Sequence, residues 1–322
     1  MGKRSEIRIV DATMRDGGLV NDFYFTDEFV KALYETNLKA GVDYMEFGYK
    51  SSKRMFDPNK FGKWKYCDDE DIRKIVGDNK TNLKIAVMAD VGRCDFREDF
   101  RPRSESPIDM IRVATYIDTI KEAIEMIEYA ADKGYEVSCN IMGISRINED
   151  QLHDAMESLY WSSADVVYLV DSYGALYPEN TKALMESVKE DAFFSKKQLG
   201  IHAHNNLELA FANTLLAHGY GADWMDGTYA SMGRGAGNCA MELLLGYMEQ
   251  KGEKKYHLEP AIPFIDEYMR GLRDQGVVWG TDLQYLVTGF MNQHPRQAIA
   301  FTKEGRTDHD RFYKENTDKP LC

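Results

Sequence analysis

The sequence has no run of about 18 uninterrupted apolar residues, the length a helix needs to cross a bilayer. A membrane-spanning role is therefore not expected. Cysteine is sparse as well: Cys67, Cys94, Cys139, Cys239 and Cys322 are odd in number, scattered, and nowhere spaced as a CxxC pair. Neither a disulfide framework nor a thiolate zinc site follows from that spacing, and reduced thiols are expected. The start of the chain, residues 1–9, is charged with no apolar stretch behind it, so no leader is read and a cytoplasmic location is expected. Positive charge is also short, with 40 basic residues against 53 acidic ones and a net charge of −13. That balance repels phosphate backbones and argues against nucleic acid as a partner. An anionic small substrate would need a local cation.

What is present suffices for a substantial core, since 43% of 322 residues are hydrophobic. Short β-branched-rich segments recur at 7–14, 44–49, 83–89, 110–115, 136–142, 166–170, 199–203 and 224–228. Between most of them lie stretches of helical period, including 27–40, 117–133, 149–161, 179–190 and 208–218. The strands are apolar on both faces, as in a parallel sheet covered by helices. Eight βα units in about 250 residues match a (β/α)8 TIM barrel, with 241–250 as the cover after the eighth strand. The sequence thus predicts an α/β TIM-barrel catalytic domain over 1–251 and a C-terminal helical appendage over 252–322, helix-compatible at 262–275 and 283–292. The polar tail 306–320 is expected to be poorly ordered, and 50–69 to form a loop over the active face.

The C-terminal strand ends form the active face of such a barrel, and here they are polar. The first strand ends in Thr13-Met14-Arg15-Asp16-Gly17-Gly18, the second in Glu46-Phe47-Gly48 and the sixth in Asp171-Ser172-Tyr173-Gly174. The seventh carries His202-Ala203-His204-Asn205-Asn206, and the eighth leads into Gly233-Arg234-Gly235-Ala236-Gly237-Asn238. Residues two apart on a strand project to one side, so His202 and His204 can bind one cation through imidazole nitrogen. A third ligand has to come from another strand end. Asp16 is placed to supply it, because strands one, seven and eight are neighbours in a closed barrel.

The run Asp11-Ala12-Thr13-Met14-Arg15-Asp16-Gly17 resembles the opening signature of the metal-dependent lyase, aldolase and synthase superfamily that includes hydroxymethylglutaryl-CoA lyase, isopropylmalate synthase and 4-hydroxy-2-oxovalerate aldolase. Glu46, the Asp171 run, the His202 run and the Gly-rich loop closing on Asn238 follow in that superfamily's order, over about residues 7–250. The resemblance implies that Asp16, His202 and His204 hold one divalent metal, with Asn238 a fourth or near ligand. Mn²⁺, Mg²⁺, Co²⁺ and Zn²⁺ all suit such donors. It also implies that Arg15 neutralises an enolate oxygen or carboxylate beside the metal. Glu46 either orders Arg15 or a water at the metal, or caps a loop. Asp171 and Ser172 either hydrogen-bond the substrate or begin the following helix. The Gly-rich run is read as the loop that seats Asn238.

Two departures separate the chain from the named activities. The oxovalerate aldolases carry a histidine shortly after Arg-Asp-Gly, whereas this chain has Gly18-Leu19-Val20-Asn21. The lyases of coenzyme A thioesters place a cysteine before the final asparagine, whereas here Cys239 follows Asn238. An acid/base is therefore expected from elsewhere: aldolase relatives place a tyrosine of the C-terminal helical part over the active site, and that resemblance implies Tyr285 or His294 here, the alternative being a packed aromatic and a helix-ending His-Pro. The expected activity is a divalent-metal-dependent aldolase or lyase acting on a 4-hydroxy-2-oxo acid through pyruvate enolate, with Arg15, Glu46, Tyr285 and His294 as its catalytic set.

Two other functions compete. A Claisen-type acyl-CoA/2-oxo acid synthase would share the metal ligands, but only about 70 residues follow the barrel. A barrel that has lost its chemistry would serve as a binding or assembly subunit. The expected partner is a small-molecule 2-oxo acid, and a homodimer is the assembly allowed for. The basic loop of Lys53, Arg54, Lys60, Lys63 and Lys65 reads either as a solvated face or as a feature favouring a sugar-acid or phosphorylated aldehyde.

Overall fold

The computed structural model describes residues 6–317. Eight parallel strands close into a barrel in chain order: β1 (Arg8–Asp11), β2 (Tyr44–Tyr49), β3 (Lys84–Asp90), β4 (Met110–Thr115), β5 (Glu136–Met142), β6 (Val166–Asp171), β7 (Gln198–Ala203) and β8 (Ala222–Gly227). The seam pairs Ile9 with Met225 and Val10 with Asp226. This is the predicted TIM barrel.

Side chains alternate along each strand between the barrel interior and the helical layer. Outward residues such as Ile9, Met45, Val87, Leu169 and Met225 join the helices in the main core. Inward residues form a small apolar plug of Val10, Tyr44, Ala86, Met110, Tyr168 and Trp224, among others. Two residues beyond plug positions, toward the C-terminal ends, the interior turns charged: Glu46 follows Tyr44, Arg112 follows Met110, and Asp226 follows Trp224. Gly200 makes the transition sterically possible, since a Cβ there would lie 2.7 Å from the Tyr168 ring. That ring in turn carries the Arg112 guanidinium 4.4 Å from its centroid.

Around the barrel lie α1 (Thr13–Gly17), α2 (Asp27–Ala40), α3 (Asp69–Val76), α4 (Phe96–Asp99), α5 (Ile120–Asp132), α6 (Glu149–Tyr160), α7 (Pro178–Ser195), α8 (Ala210–Gly219) and α9 (Met241–Gln250). Local chemistry sets their ends. Thr26 accepts from the Phe29 N–H at the start of α2, and Asn148 and Gln151 cap α6 reciprocally. One boundary differs from expectation: β1 stops at Asp11, and the signature continues as the buried turn α1 rather than as strand. The Asp11 carboxylate accepts from the Thr13 N–H at 2.9 Å and its hydroxyl at 2.5 Å, which bends the chain out of the sheet. This turn carries Arg15 and Asp16 over the barrel mouth.

The C-terminal part comprises α10 (Ala261–Phe264), a π turn at Ile265–Met269, α11 (Arg270–Asp274), α12 (Leu283–Phe290), α13 (Arg296–Lys303) and α14 (His309–Thr317). Tyr256, Phe264, Met269 and Trp279 belong to the barrel's own core, whereas Val287, Ala298, Phe301 and Phe312 form a separate cluster. Packing therefore changes hands after Trp279, while the last strand and its covering helix end by Gln250. The tail also differs from expectation: α14 is helical and buries Phe312, because Arg306 pairs with both Asp308 and Glu315 across its start. Residues 318–320 of that tail lie outside the described residues, as does Cys322. Cys67, Cys94, Cys139 and Cys239 are free thiols.

Most cations of the loop after β2 are paired or stacked on aromatic rings. Lys53 pairs with Asp68, Arg54 with Glu98 and Lys63 with Asp27. Lys65 sits 4.5–5.8 Å from the ring centroids of Phe23, Tyr49, Phe56 and Phe61. None of these cations lines the cavity at the barrel mouth, so the reading of this loop as an anion-favouring feature is not upheld. Among the described residues, no helix is long and apolar enough to cross a membrane.

Candidate active site

At the mouth, Asp16, His202 and His204 offer one ligand atom each, all within 4.8 Å of one another and all buried. β7 supplies His202, His204 follows directly after its end two residues on, and α1 lowers the carboxylate onto them. The Asp16 Oδ2 atom lies 3.2 Å from His202 Nε2 and 3.6 Å from His204 Nε2. The other oxygen, Oδ1, accepts the Arg234 backbone N–H at 3.0 Å.

Behind the ligands runs a closed ring of buried charges. Arg15 donates from Nη1 to Asp16 at 2.7 Å and from Nε to Glu46 at 2.8 Å. Arg112 donates to the same Glu46 oxygen at 2.8 Å and to Asp226 at 2.7 Å. Asp226 then meets His202 Nδ1 at 2.9 Å, and His202 returns to Asp16. Three carboxylates face two guanidiniums, so with neutral imidazoles the ring carries an uncompensated negative charge in a buried place. Such a charge is costly unless a cation answers it.

Titration behaviour follows from this packing. Burial works to raise Asp16, yet Arg15 and then the histidines hold it well below the usual carboxylate range. Burial, outweighing the attraction of Asp16, keeps His204 well below its ordinary value, with a lone pair available. His202 is opposed by burial and Arg15 but raised overall by its bonds to Asp16 and Asp226. A cation bound here would displace that proton. The donor set of one carboxylate and two imidazoles suits a divalent ion, and the Asn238 Oδ1 atom, buried without a hydrogen-bond partner, fits beside it as a further oxygen donor. A bridge between His204 and Asn238 holds that asparagine at the end of β7.

The other residues singled out in the sequence are placed differently. Glu46 belongs to the ring and touches Arg15, as one of its two readings required. Ser172 lines the cavity, and its hydroxyl accepts the Gly143 N–H at 3.0 Å. Both Asp171 oxygens are taken by the backbone N–H groups of Ala175 and Leu176, in the turn that leads to α7 at Pro178. Burial raises that carboxyl to about 6 against those bonds. Tyr285 does not reach the cavity: its hydroxyl points to Thr302 at 3.4 Å, and its ring lies where a Cβ on Gly235 would touch it at 3.1 Å. His294 stands one side chain away, 3.5 Å from Arg234 Nη1.

Three features escaped the sequence reading. Arg112 and Asp226 complete the ring, and Tyr49 lines the cavity with Arg15 and Asp16. A signal existed for the first two. Each is a charge inside an apolar strand run, Met110-Ile111-Arg112-Val113 and Trp224-Met225-Asp226, and such a position survives only when paired.

A closed (β/α)8 barrel with two histidines and a carboxylate converging at its C-terminal mouth defines a TIM-barrel enzyme with a candidate metal centre. The chain belongs to the HMGL-like family, whose model matches residues 6–264, and within it is a carbon–carbon lyase. It is 30% identical to the 4-hydroxy-2-oxovalerate aldolase of Thermus thermophilus over 76% of this chain and 69% of that one. Identity to the oxaloacetate decarboxylase of Mycobacterium tuberculosis is 29% over 76% and 70% of the two chains. Among solved structures, the N-terminal domain of a Bacteroides vulgatus protein named as an aldolase matches with a TM-score of 0.77 at 26% identity, covering 92% of this chain and 97% of that one. The HMG-CoA lyase of Bacillus subtilis shares the fold, with a TM-score of 0.66 at 17% identity over 85% and 95% of the chains.

Proposed function

We propose that the chain is a divalent-metal-dependent lyase that cleaves a 4-hydroxy-2-oxo acid and leaves pyruvate as its enolate. The observation that carries this reading is the convergence of Asp16, His202 and His204, with Arg15 bonded to the same carboxylate. Asp16, His202 and His204 would hold a divalent ion, Mn²⁺ being suited to such a mixed set of carboxylate and imidazole donors, and that ion would supply positive charge at the substrate's keto oxygen. Arg15 spends Nε and Nη1 on Glu46 and Asp16, so Nη2 remains for the substrate carboxylate or the developing enolate oxygen. Both carboxylates fix the guanidinium plane before substrate arrives.

Tyr49 is the group we assign to the proton. Its hydroxyl has no hydrogen-bond partner among the described residues, and its side chain lines the cavity beside Arg15. Burial raises its pKa far above the ordinary phenol value despite Arg15, so it acts as a neutral donor toward the enolate carbon, not as a base. Asp16 is the only carboxylate among the lining residues described. That observation favours a second reading, decarboxylation of a 2-oxo dicarboxylic acid, which reaches the same enolate by loss of CO₂ without a base. The similarity to a protein named oxaloacetate decarboxylase supports it.

Pyruvate release from a panel of 4-hydroxy-2-oxo acids and from oxaloacetate, measured with added Mn²⁺ and after chelation, tests both. Release that requires metal and falls about 10²–10⁴-fold in Tyr49→Phe is expected. Metal-independent release, or acetyl-CoA consumption without pyruvate release, would contradict the reading, and full turnover in Tyr49→Phe would remove the tyrosine from it.

A further inference from the structure

On this acidic chain most arginines answer a carboxylate, but three gathered around His294, one of which lines the cavity, do not. No carboxylate lies within ion-pair distance of Arg146, Arg234 or Arg296 among the described residues, whereas Arg15, Arg54, Arg97, Arg101, Arg103 and Arg112 each have one or more. The three come from different parts of the chain. Arg146 follows β5, Arg234 lies in the Gly-rich loop after β8, and Arg296 opens α13.

They are joined by contacts. Arg146 lies 5.2 Å from the centroid of the Tyr173 ring, and Tyr173 meets His294 edge-on at 5.9 Å. His294 touches Arg234 Nη1 at 3.5 Å and accepts the Arg296 backbone N–H at 3.1 Å. Arg146 is steadied by the Asn292 carbonyl at 2.7 Å, and Arg234 by the Ser172 carbonyl at 2.8 Å. Neutral carbonyls orient these guanidiniums without cancelling their charge. The field they make is visible on His294: burial first, then Arg234, Arg296 and Arg146, hold it down to about 4, so the imidazole stays neutral among them. Arg234 itself lines the cavity with His204 and Ser172, and its Nε is buried without a partner.

We infer that this rim recognises a second anionic group on the substrate, a carboxylate on the half that leaves, in addition to the 2-oxo acid carboxylate read by Arg15. The substrate class is then a dicarboxylic 2-oxo acid; naming that half as the leaving one rests on the lyase reading. The rim also gives the C-terminal helices a task, since they alone bring Arg296 next to His294. A planar guanidinium fork matches a carboxylate in two bonds, and a cationic mouth on an anionic protein concentrates anions where they are needed.

A pair of unreactive ligands of equal length tests this directly. The full chain with Mn²⁺ is titrated calorimetrically with 2-oxoglutarate and with 2-oxopentanoate, which differ by the distal carboxylate. Binding of 2-oxoglutarate is expected to be about 10-fold tighter or more at low salt, from one charge-assisted contact. The gap narrows as salt is raised and closes in Arg146→Gln/Arg296→Gln, exposed positions whose replacement leaves the melting temperature unchanged. Equal affinity for the two ligands, or a gap that survives the double substitution, overturns the inference while leaving the lyase reading to the pyruvate assay. Binding of neither ligand overturns both.

Discussion

Arg15→Lys is expected to give a folded, metal-binding barrel whose kcat falls about 10²–10³-fold, the usual loss when one preorganised donor is removed from developing charge. Lysine keeps the charge but not the geometry. The guanidinium reaches Asp16 and Glu46 through two nitrogens at 2.7 and 2.8 Å while a third stays for the substrate. An ammonium placed between those carboxylates satisfies one or both and has no fixed direction left for an enolate. The effect should fall on kcat more than on KM, because the contact strengthens as negative charge develops. Unchanged turnover in a variant with a normal melting temperature would take Arg15 out of the chemistry.

Arg112→Met should act on stability. The guanidinium is fully buried and is shared between Glu46 and Asp226, so its loss strands two carboxylates inside the barrel. Removing one member of a buried ionic pair typically costs about 3–5 kcal/mol. The exposed pair Arg97 and Glu125 supplies the contrast, since Arg97→Met should cost no more than about 1 kcal/mol. Metal affinity should fall as well, by about 10–100-fold, because Asp226 orients His202 and Arg112 orients Asp226. A melting temperature equal to that of Arg97→Met would mean the ring does not hold the barrel interior together.

These two arginines also mark where sequence reasoning succeeds and where it stops. Arg15 was legible because a motif and a strand end coincide there. Arg112 was not, because its partners come from β2 and β8, and only barrel closure brings those strands around it. The eight strands were readable as apolar runs bounded by polar ends, and the facing of His202 and His204 followed from the two-residue period alone. The strand expected over 7–14 overruns into the turn at Thr13 and Met14, since the Asp11 hydrogen bonds that bend the chain there are invisible to hydrophobic pattern. Tyr285 and His294 were placed over the site by resemblance, yet the docking of helices beyond a barrel is a tertiary matter. In the fold one hydroxyl turns to Thr302 and the imidazole stands behind Arg234. The basic loop failed for a related reason: composition counts its lysines but not the Asp27, Asp68 and Glu98 that meet them.

The proposed chemistry depends most on the metal. Chelator-treated chain titrated with Mn²⁺, with bound and free ion counted, should take up one ion per chain. Asp16→Asn and His202→Ala should each weaken that uptake by more than the roughly 100-fold that marks the upper end of outer-shell changes, while both variants keep the barrel's circular dichroism. Wild-type stoichiometry and affinity in either variant would contradict the assignment of Asp16, His202 and His204 as its ligands.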